Sequence, residues 1–109
     1  YGVRARVDYV RGVPPVINDP KAVAALGRAA LTADVVPVPT PQSLGGEDFG
    51  WLIREGSGAM ARLGTRTPGG TTYDLHQGDL IVDEGAVRAG TRLLTLAAAG
   101  EWTRVDDPA

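Results

Sequence analysis

The sequence predicts an α/β fold. Residues 3–11 alternate apolar and polar side chains with a period of two, the pattern of a half-buried strand. Apolar residues at helical spacing follow an Asp-Pro pair at positions 19–20, and a second long helical pattern covers residues 83–99. With a short helix and a short strand between them, these segments predict the order strand, helix, helix, strand, helix.

The opening strand is predicted to begin at the first residues and to end before Pro14 and Pro15, which lack the N–H group that a strand ladder needs. The sequence offers this strand few partners. Residues 35–39 are interrupted by proline, and the predicted strand over residues 59–63 is short. We therefore expect the chain to be a piece of a larger protein that supplies the missing partners.

The helices have clear start and stop signals. Asp19 is a suitable N-cap and Pro20 suits a first turn, so a helix is predicted over residues 20–32. Gly45 and Gly46 precede a short helix that ends around Gly56, and the last helix is predicted to end at Gly100. The predicted packed positions are Val23, Leu26, Ala30 and Leu31 in the first helix, Phe49, Leu52 and Ile53 in the second, and Val87, Gly90, Leu94, Ala97 and Ala98 in the last.

Composition excludes several classes of protein. The chain has 109 residues and no cysteine, which excludes disulfide scaffolds, cysteine zinc sites and thiol nucleophiles. Its formal net charge of −2 gives no electrostatic case for binding nucleic acid or an anionic membrane. No apolar run approaches the roughly 20 residues that span a bilayer. The lack of cysteine fits a cytoplasmic protein.

Two segments could carry chemistry. His76, the only histidine, lies between Asp74 and Asp79 in a loop, and imidazole is the commonest metal ligand. The alternative is a solvated loop side chain, because a catalytic zinc needs about three protein ligands. Gly45 and Gly46 could expose main-chain N–H groups to a carboxylate or phosphate, or could simply give a flexible entry to an acidic helix start.

The order of several short motifs resembles one family. The motifs are Val13-Pro14-Pro15-Val16-Ile17-Asn18-Asp19, Gly46-Glu47-Asp48-Phe49, Gly58-Ala59, Leu63-Gly64, Leu75-His76 and Asp83-Glu84. Together they resemble the C-terminal portion of the metallo-amidohydrolase and exopeptidase family that includes hippurate hydrolase, aminoacylase, auxin-conjugate amidohydrolase and carboxypeptidase G. The sequence departs from the family at Ser57, where proline is common, and in the residues after His76.

The resemblance implies a division of the chain and a set of site residues. Residues 1–18 correspond to the end of an inserted α+β lid or dimerisation domain, and residues 19–109 to the C-terminal part of a metal-binding α/β hydrolase domain. His76 corresponds to a metal ligand. Ser43, Gly45 and Gly46 are candidate substrate contacts, and Glu47, Asp48 and Phe49 belong to a signature segment near the active-site cleft.

The resemblance also implies an activity, which is hydrolysis of the amide bond of N-acyl amino acids or small peptides. It implies two divalent metal ions (zinc, manganese or cobalt) and a homodimer formed through the lid domain. The catalytic glutamates and the other metal ligands of the family lie upstream, so no catalytic residue is assigned here and the 109-residue chain alone is predicted to be inactive.

Two other interpretations stay open at this point. The chain could be a non-catalytic interaction module that pairs through its opening strand with another protein. It could also be a small α/β domain whose histidine has no special role.

Overall fold

Three helices make up most of the regular structure of the computed structural model, which describes residues 2–101. α1 spans Pro20–Thr32, α2 spans Phe49–Arg54, and α3 spans Glu84–Leu96 and continues into a π-helical turn, Ala97–Glu101. All three predicted helices are confirmed. Tyr1 and residues 102–109, the outer ends of the two predicted units, lie outside the described residues.

Local capping explains where α1 and α3 begin. The Asp19 carboxylate accepts hydrogen bonds from the main-chain N–H groups of Lys21 at 2.8 Å and Ala22 at 3.0 Å. Asp83 does the same for Gly85 at 2.7 Å. Each carboxylate satisfies donors that a first helical turn leaves unpaired. At the other end, Gly100 adopts a φ of 137°, which interrupts the helical path as the predicted stop requires.

The α/β prediction is wrong, because residues 2–101 contain no strand. The opening segment, residues 3–11, is exposed along its whole length, and the predicted strand at residues 59–63 joins no ladder. A strand exists only where a neighbouring backbone completes its hydrogen bonds. Here the main-chain bond from Asp19 N to Gly58 O at 2.9 Å joins residues that lie outside both segments, and no sheet forms between the segments themselves.

The packed core lies between α1 and α3 and is built from alanine. Its buried side chains are Ala22, Ala25, Ala29, Ala30, Ala33 and Ala86. Small side chains let two helices approach closely. The faces of α1 and α3 that contact each other here are not the faces that the apolar spacing predicted. Six predicted packed positions are wrong because the structure leaves their side chains exposed, with Leu52 70% exposed and Leu31 68%. They are Val23, Leu31, Leu52, Val87, Leu94 and Ala98. The larger side chains point away from the contact that the alanines make.

Arg92 links α3 to the end of α1. Its guanidinium donates to the Asp34 carboxylate at 3.0 Å and to the Thr32 carbonyl oxygen at 3.1 Å. Asp34 has a positive φ of 58° just after the helix. The link therefore fixes the direction in which the chain leaves α1.

The chain buries little of its surface. Its accessible area is 9496 Å², whereas a compact monomer of this size exposes about 5,800 Å². The radius of gyration is 18.6 Å, against about 13 Å for a compact domain of this length. Within the described residues, none of the helices has the length and apolar character needed to cross a membrane. The packed core is therefore small, and it does not include α2, which contacts neither α1 nor α3.

Candidate functional site

The loop before α2 holds the candidate substrate contacts in one continuous stretch. The Ser43 hydroxyl oxygen accepts the main-chain N–H of Gly45 at 3.1 Å, which closes a tight turn. The Glu47 carboxylate accepts the Phe49 N–H at 3.3 Å, and its carbonyl oxygen accepts the Gly50 N–H at 3.0 Å. Glu47 therefore caps the start of α2, as an acidic residue at a helix N-terminus should.

Asp48 and Phe49 differ in their surroundings. Asp48 is exposed and makes no side-chain capping bond, whereas Phe49 is half-buried at the first position of α2. Ser43, Gly45, Gly46 and Glu47 are also exposed. The carboxylates of Glu47 and Asp48 are thus open to solvent, with Phe49 anchoring the segment.

Two glycines let the segment after the opening residues lie directly against α2. A Cβ atom at Gly50 would be 2.5 Å from the Pro14 carbonyl oxygen, and one at Gly46 would be 2.8 Å from a methyl group of Val13. A side chain at Gly50 would need the backbone to shift, whereas one at Gly46 would need the Val13 side chain to move. The Val13 side chain and the Pro14 backbone are therefore in close contact with the Gly46–Gly50 segment, and glycine at position 50 lets the Pro14 backbone come this near.

A cluster of hydrogen bonds joins residues 18–19 to residues 57–60. The Asn18 side-chain amide donates to the Met60 carbonyl oxygen at 3.1 Å and accepts the Met60 N–H at 2.9 Å. Asp19 N donates to the Gly58 carbonyl oxygen, and the Ser57 side chain hydrogen-bonds to the Asp19 carboxylate. The hydrogen bond from the Ala22 N–H is the largest of the influences that lower the pKa of Asp19 below its usual value.

His76 lies in a loop closed at its base by a hydrogen bond from Asp83 N to the Thr65 carbonyl oxygen at 2.8 Å. The histidine is exposed and has a positive φ of 66°, a left-handed conformation that is uncommon for a residue with a side chain. Beside it, the Gln77 side-chain oxygen accepts the Asp74 N–H at 3.1 Å. The turn therefore projects the imidazole into solvent.

The side chains of residues 2–100 do not by themselves form a metal site. They include no group of three or more histidine, aspartate or glutamate residues close enough to hold an ion. Asp74 and Asp79 flank His76 in sequence without completing such a group. A metal ion at His76 would need further ligands from outside this part of the chain.

A cavity of about 370 Å³ lies where the segment after the opening residues faces α2. Its lining residues are Arg11, Pro14, Pro15, Ile17, Gly50, Ile53 and Arg54. The charged side chains among them are both arginines. Arg54 also stacks over the Trp51 ring, 5.7 Å from its centre, and lies 3.8 Å from the Glu55 carboxylate. The lining itself is apolar and positively charged.

The structure brings some of the predicted site residues together and leaves one apart. Residues 43–49 form a single loop and helix start. Within the described residues, no hydrogen bond or ion pair joins them to His76. Sequence reasoning missed Asn18, which it named only as part of the motif over residues 13–19, although an amide side chain just before a helix cap was the available signal.

The chain matches a family model described as "Peptidase family M20/M25/M40" over residues 3–99. It is 44% identical over 110 residues to "Putative glutamate--cysteine ligase 2-3" of Rhodococcus jostii, a match that covers 98% of this chain and 13% of that protein. It is 35% identical over 112 residues to "Probable hydrolase sll0100" of Synechocystis, with 96% of this chain and 28% of that protein covered. The chain thus spans less than a third of either curated relative. No solved structure matches it.

Proposed function

The chain belongs to peptidase family M20/M25/M40, and from this membership we propose that it is a segment of a longer metal-dependent amidohydrolase. The proposed reaction is cleavage of the amide bond of N-acyl amino acids or related small amides and peptides. The observation that carries the proposal is the family match over residues 3–99, which includes both the Gly46–Phe49 segment and His76.

The two relatives carry different names, and the hydrolase name is the better guide. The match covers 28% of the Synechocystis hydrolase but 13% of the Rhodococcus protein, whose ligase name refers to a much longer chain. The hydrolase name also agrees with the family. We therefore extend hydrolysis, and not ligation, to this chain.

The small core supports the view that the segment works within a larger protein. Opening residues such as Val3, Val7 and Tyr9 are more than four-fifths exposed, which is unfavourable for apolar side chains in an isolated domain. We propose that residues 1–18 end a lid or dimerisation domain and that residues 19–109 belong to the metal-binding domain. A second copy would then join through the lid.

Within this scheme the exposed loop before α2 contacts the substrate. The Ser43 hydroxyl already accepts the Gly45 N–H, so Ser43 and Gly45 shape the turn and Gly46 presents its exposed backbone next to them. Main-chain N–H groups at such a turn can donate to a carbonyl or carboxylate oxygen of a bound substrate. This part of the proposal concerns binding and orientation only.

His76 is proposed as one ligand of a divalent metal centre in the longer protein. Its exposed, left-handed turn leaves the imidazole available to ligands from other parts of that protein. Family membership favours zinc, manganese or cobalt as the metal. A metal centre of this kind polarises the scissile carbonyl and activates water.

The test is a His76→Ala variant of the full-length protein. Hydrolysis of hippurate and of a panel of N-acetyl amino acids is measured together with bound metal per subunit. We expect kcat/KM to fall by more than about 100-fold, because even residues that only support a metal ligand contribute roughly 10–100-fold. Bound metal should decrease as well, and a chelator should abolish wild-type activity.

Thr71→Ala is the matched control, since Thr71 is exposed in the same loop. This variant should leave both kcat/KM and bound metal per subunit unchanged. Normal turnover and full metal content in His76→Ala would refute the role of the histidine. The 109-residue chain on its own should hydrolyse none of these substrates, because the part of it that the structure describes includes no group of ligands able to hold a metal.

A further inference from the structure

We propose that Asn18 is a positioning residue of this hydrolase, whose side-chain amide fixes residues 58–60 and, through them, the Gly46–Phe49 segment. The inference rests on the proposed function, since it concerns the placement of the loop that would contact the substrate. It assigns a role to a residue that lies well before that loop in sequence and touches none of its atoms.

The Asn18 amide makes a pair of hydrogen bonds to one residue 42 positions away. Its nitrogen donates to the Met60 carbonyl oxygen at 3.1 Å, and its oxygen accepts the Met60 N–H at 2.9 Å. The side chain therefore acts as a strand partner would, satisfying both main-chain groups of Met60. Because the bond from Asp19 N to the Gly58 oxygen lies next to it, three hydrogen bonds hold residues 58–60 against the start of α1.

Residues 58–60 in turn pack against α2. A Cβ atom at Gly58 would be 2.6 Å from a methyl group of Ile53 and 3.5 Å from the tip of the Phe49 ring. Gly58 is buried in this contact. A shift of residues 58–60 would therefore move Phe49, the first residue of α2, and the loop that immediately precedes it.

A second contact reaches the same loop from the same side. Val13, five residues before Asn18, lies against Gly46. The segment from Val13 to Asn18 is thus connected to the Gly46–Phe49 segment at both of its ends. Val13 makes a direct contact, and Asn18 acts indirectly through Gly58. Asn18 supplies the polar anchor of this arrangement.

The chemistry of the amide explains why asparagine is needed. One terminal group must both donate and accept, at the spacing of a main-chain N–H and C=O pair. Aspartate at this position would accept the Met60 N–H but would place a carboxylate oxygen against the Met60 carbonyl oxygen. Alanine would leave both main-chain groups of Met60 without this partner.

The experiment compares Asn18→Ala and Asn18→Asp with the wild type in the full-length protein. Amide hydrogen exchange at Met60 reports the hydrogen bond itself. Steady-state kinetics, with the panel substrate that the wild type cleaves fastest, reports the position of the loop. Thr71→Ala is again the control, because Thr71 is exposed, lies outside the loop before α2 and makes no hydrogen bond within the part of the chain that the structure describes.

We expect exchange at Met60 to become about tenfold faster in Asn18→Ala, the factor that corresponds to the loss of one typical hydrogen bond. KM should rise by roughly three- to tenfold, since small displacements of binding groups weaken substrate binding strongly. A loss of folded protein lowers the apparent kcat but leaves KM unchanged, so a raised KM separates positioning from general destabilisation. Asn18→Asp keeps the bond from the Met60 N–H but sets a carboxylate oxygen against the Met60 carbonyl oxygen, so it should also raise KM while exchange at Met60 stays closer to that of the wild type.

Two results would overturn the inference without touching the proposed function. One is unchanged exchange at Met60 in Asn18→Ala, and the other is an unchanged KM in a variant whose exchange has increased. If Asn18→Ala does not fold, the KM of Asn18→Asp decides, because this variant keeps the bond from the Met60 N–H and loses only the bond to the Met60 carbonyl oxygen. An unchanged KM in Asn18→Asp would then overturn the inference. Absence of hydrolysis by the wild type would instead overturn the proposed function.

Discussion

Replacing Gly50 by alanine tests the closest backbone contact in the candidate site. The new Cβ would lie 2.5 Å from the Pro14 carbonyl oxygen, whereas carbon–oxygen contacts ordinarily lie at about 3.3 Å. Either α2 or the Pro14 backbone must therefore move by roughly 0.8 Å. Overpacking of this kind costs about 1–3 kcal/mol, and the higher helix propensity of alanine returns at most about 1 kcal/mol. We expect Gly50→Ala to be destabilised by about 1–2 kcal/mol.

Gly27→Ala is the matched control. Gly27 lies within α1, and a Cβ there would meet no atom within 4 Å, so this variant should gain about 0.5–1 kcal/mol. Urea denaturation of the purified protein measures both variants. With a slope of about 2 kcal/mol per molar, their midpoints should differ by roughly 1 M. Equal midpoints for the two variants would show that the Pro14 backbone yields freely and that the close contact does not hold α2 in place.

Two further predictions concern α1. The pKa of Asp19 is lowered chiefly by the hydrogen bond from the Ala22 N–H, so the carboxylate adds stability above its unfolded pKa and loses it as the pH falls through the lowered folded value. Below about pH 5 the wild type should lose thermal stability faster than Asp19→Asn, a non-titrating cap, and parallel pH curves would contradict this. Arg92→Ala should lower the free energy of unfolding by about 0.5–1 kcal/mol, because its contacts with Asp34 and the Thr32 carbonyl are solvent-exposed. Arg88→Ala on the same helix is the control. If urea denaturation gives the two variants the same loss of unfolding free energy, the contacts of Arg92 with Asp34 and Thr32 do not stabilise the protein.

The sequence predicted the helices well because their signals are local. Asp19 and Pro20 start α1, Asp83 starts α3, and Gly100 interrupts the path after it, as expected. A capping carboxylate acts on main-chain groups two or three residues away. The family could also be recognised from the sequence, because the order of short motifs can be read without knowing which residues contact each other.

The candidate site was only partly predictable. The loop from Ser43 to Asp48 and the start of α2 follow from neighbouring residues, and the structure places them as one segment. The role of His76 stays a prediction, since its partners would come from elsewhere. Asn18 could not be identified, because its importance depends on a residue 42 positions later.

Tertiary structure decided the features that need a distant partner. Residues 3–11 have the pattern of a strand, yet no ladder forms because no neighbouring backbone in residues 2–101 pairs with them. Helical spacing places Leu31 and Leu94 on apolar stripes, but the contact between α1 and α3 uses alanines instead. The sequence by itself determined where helices begin and end, since those signals act within one turn. Which faces pack and which segments pair depended on the three-dimensional arrangement, because burial and hydrogen-bond partners come from residues far apart along the chain.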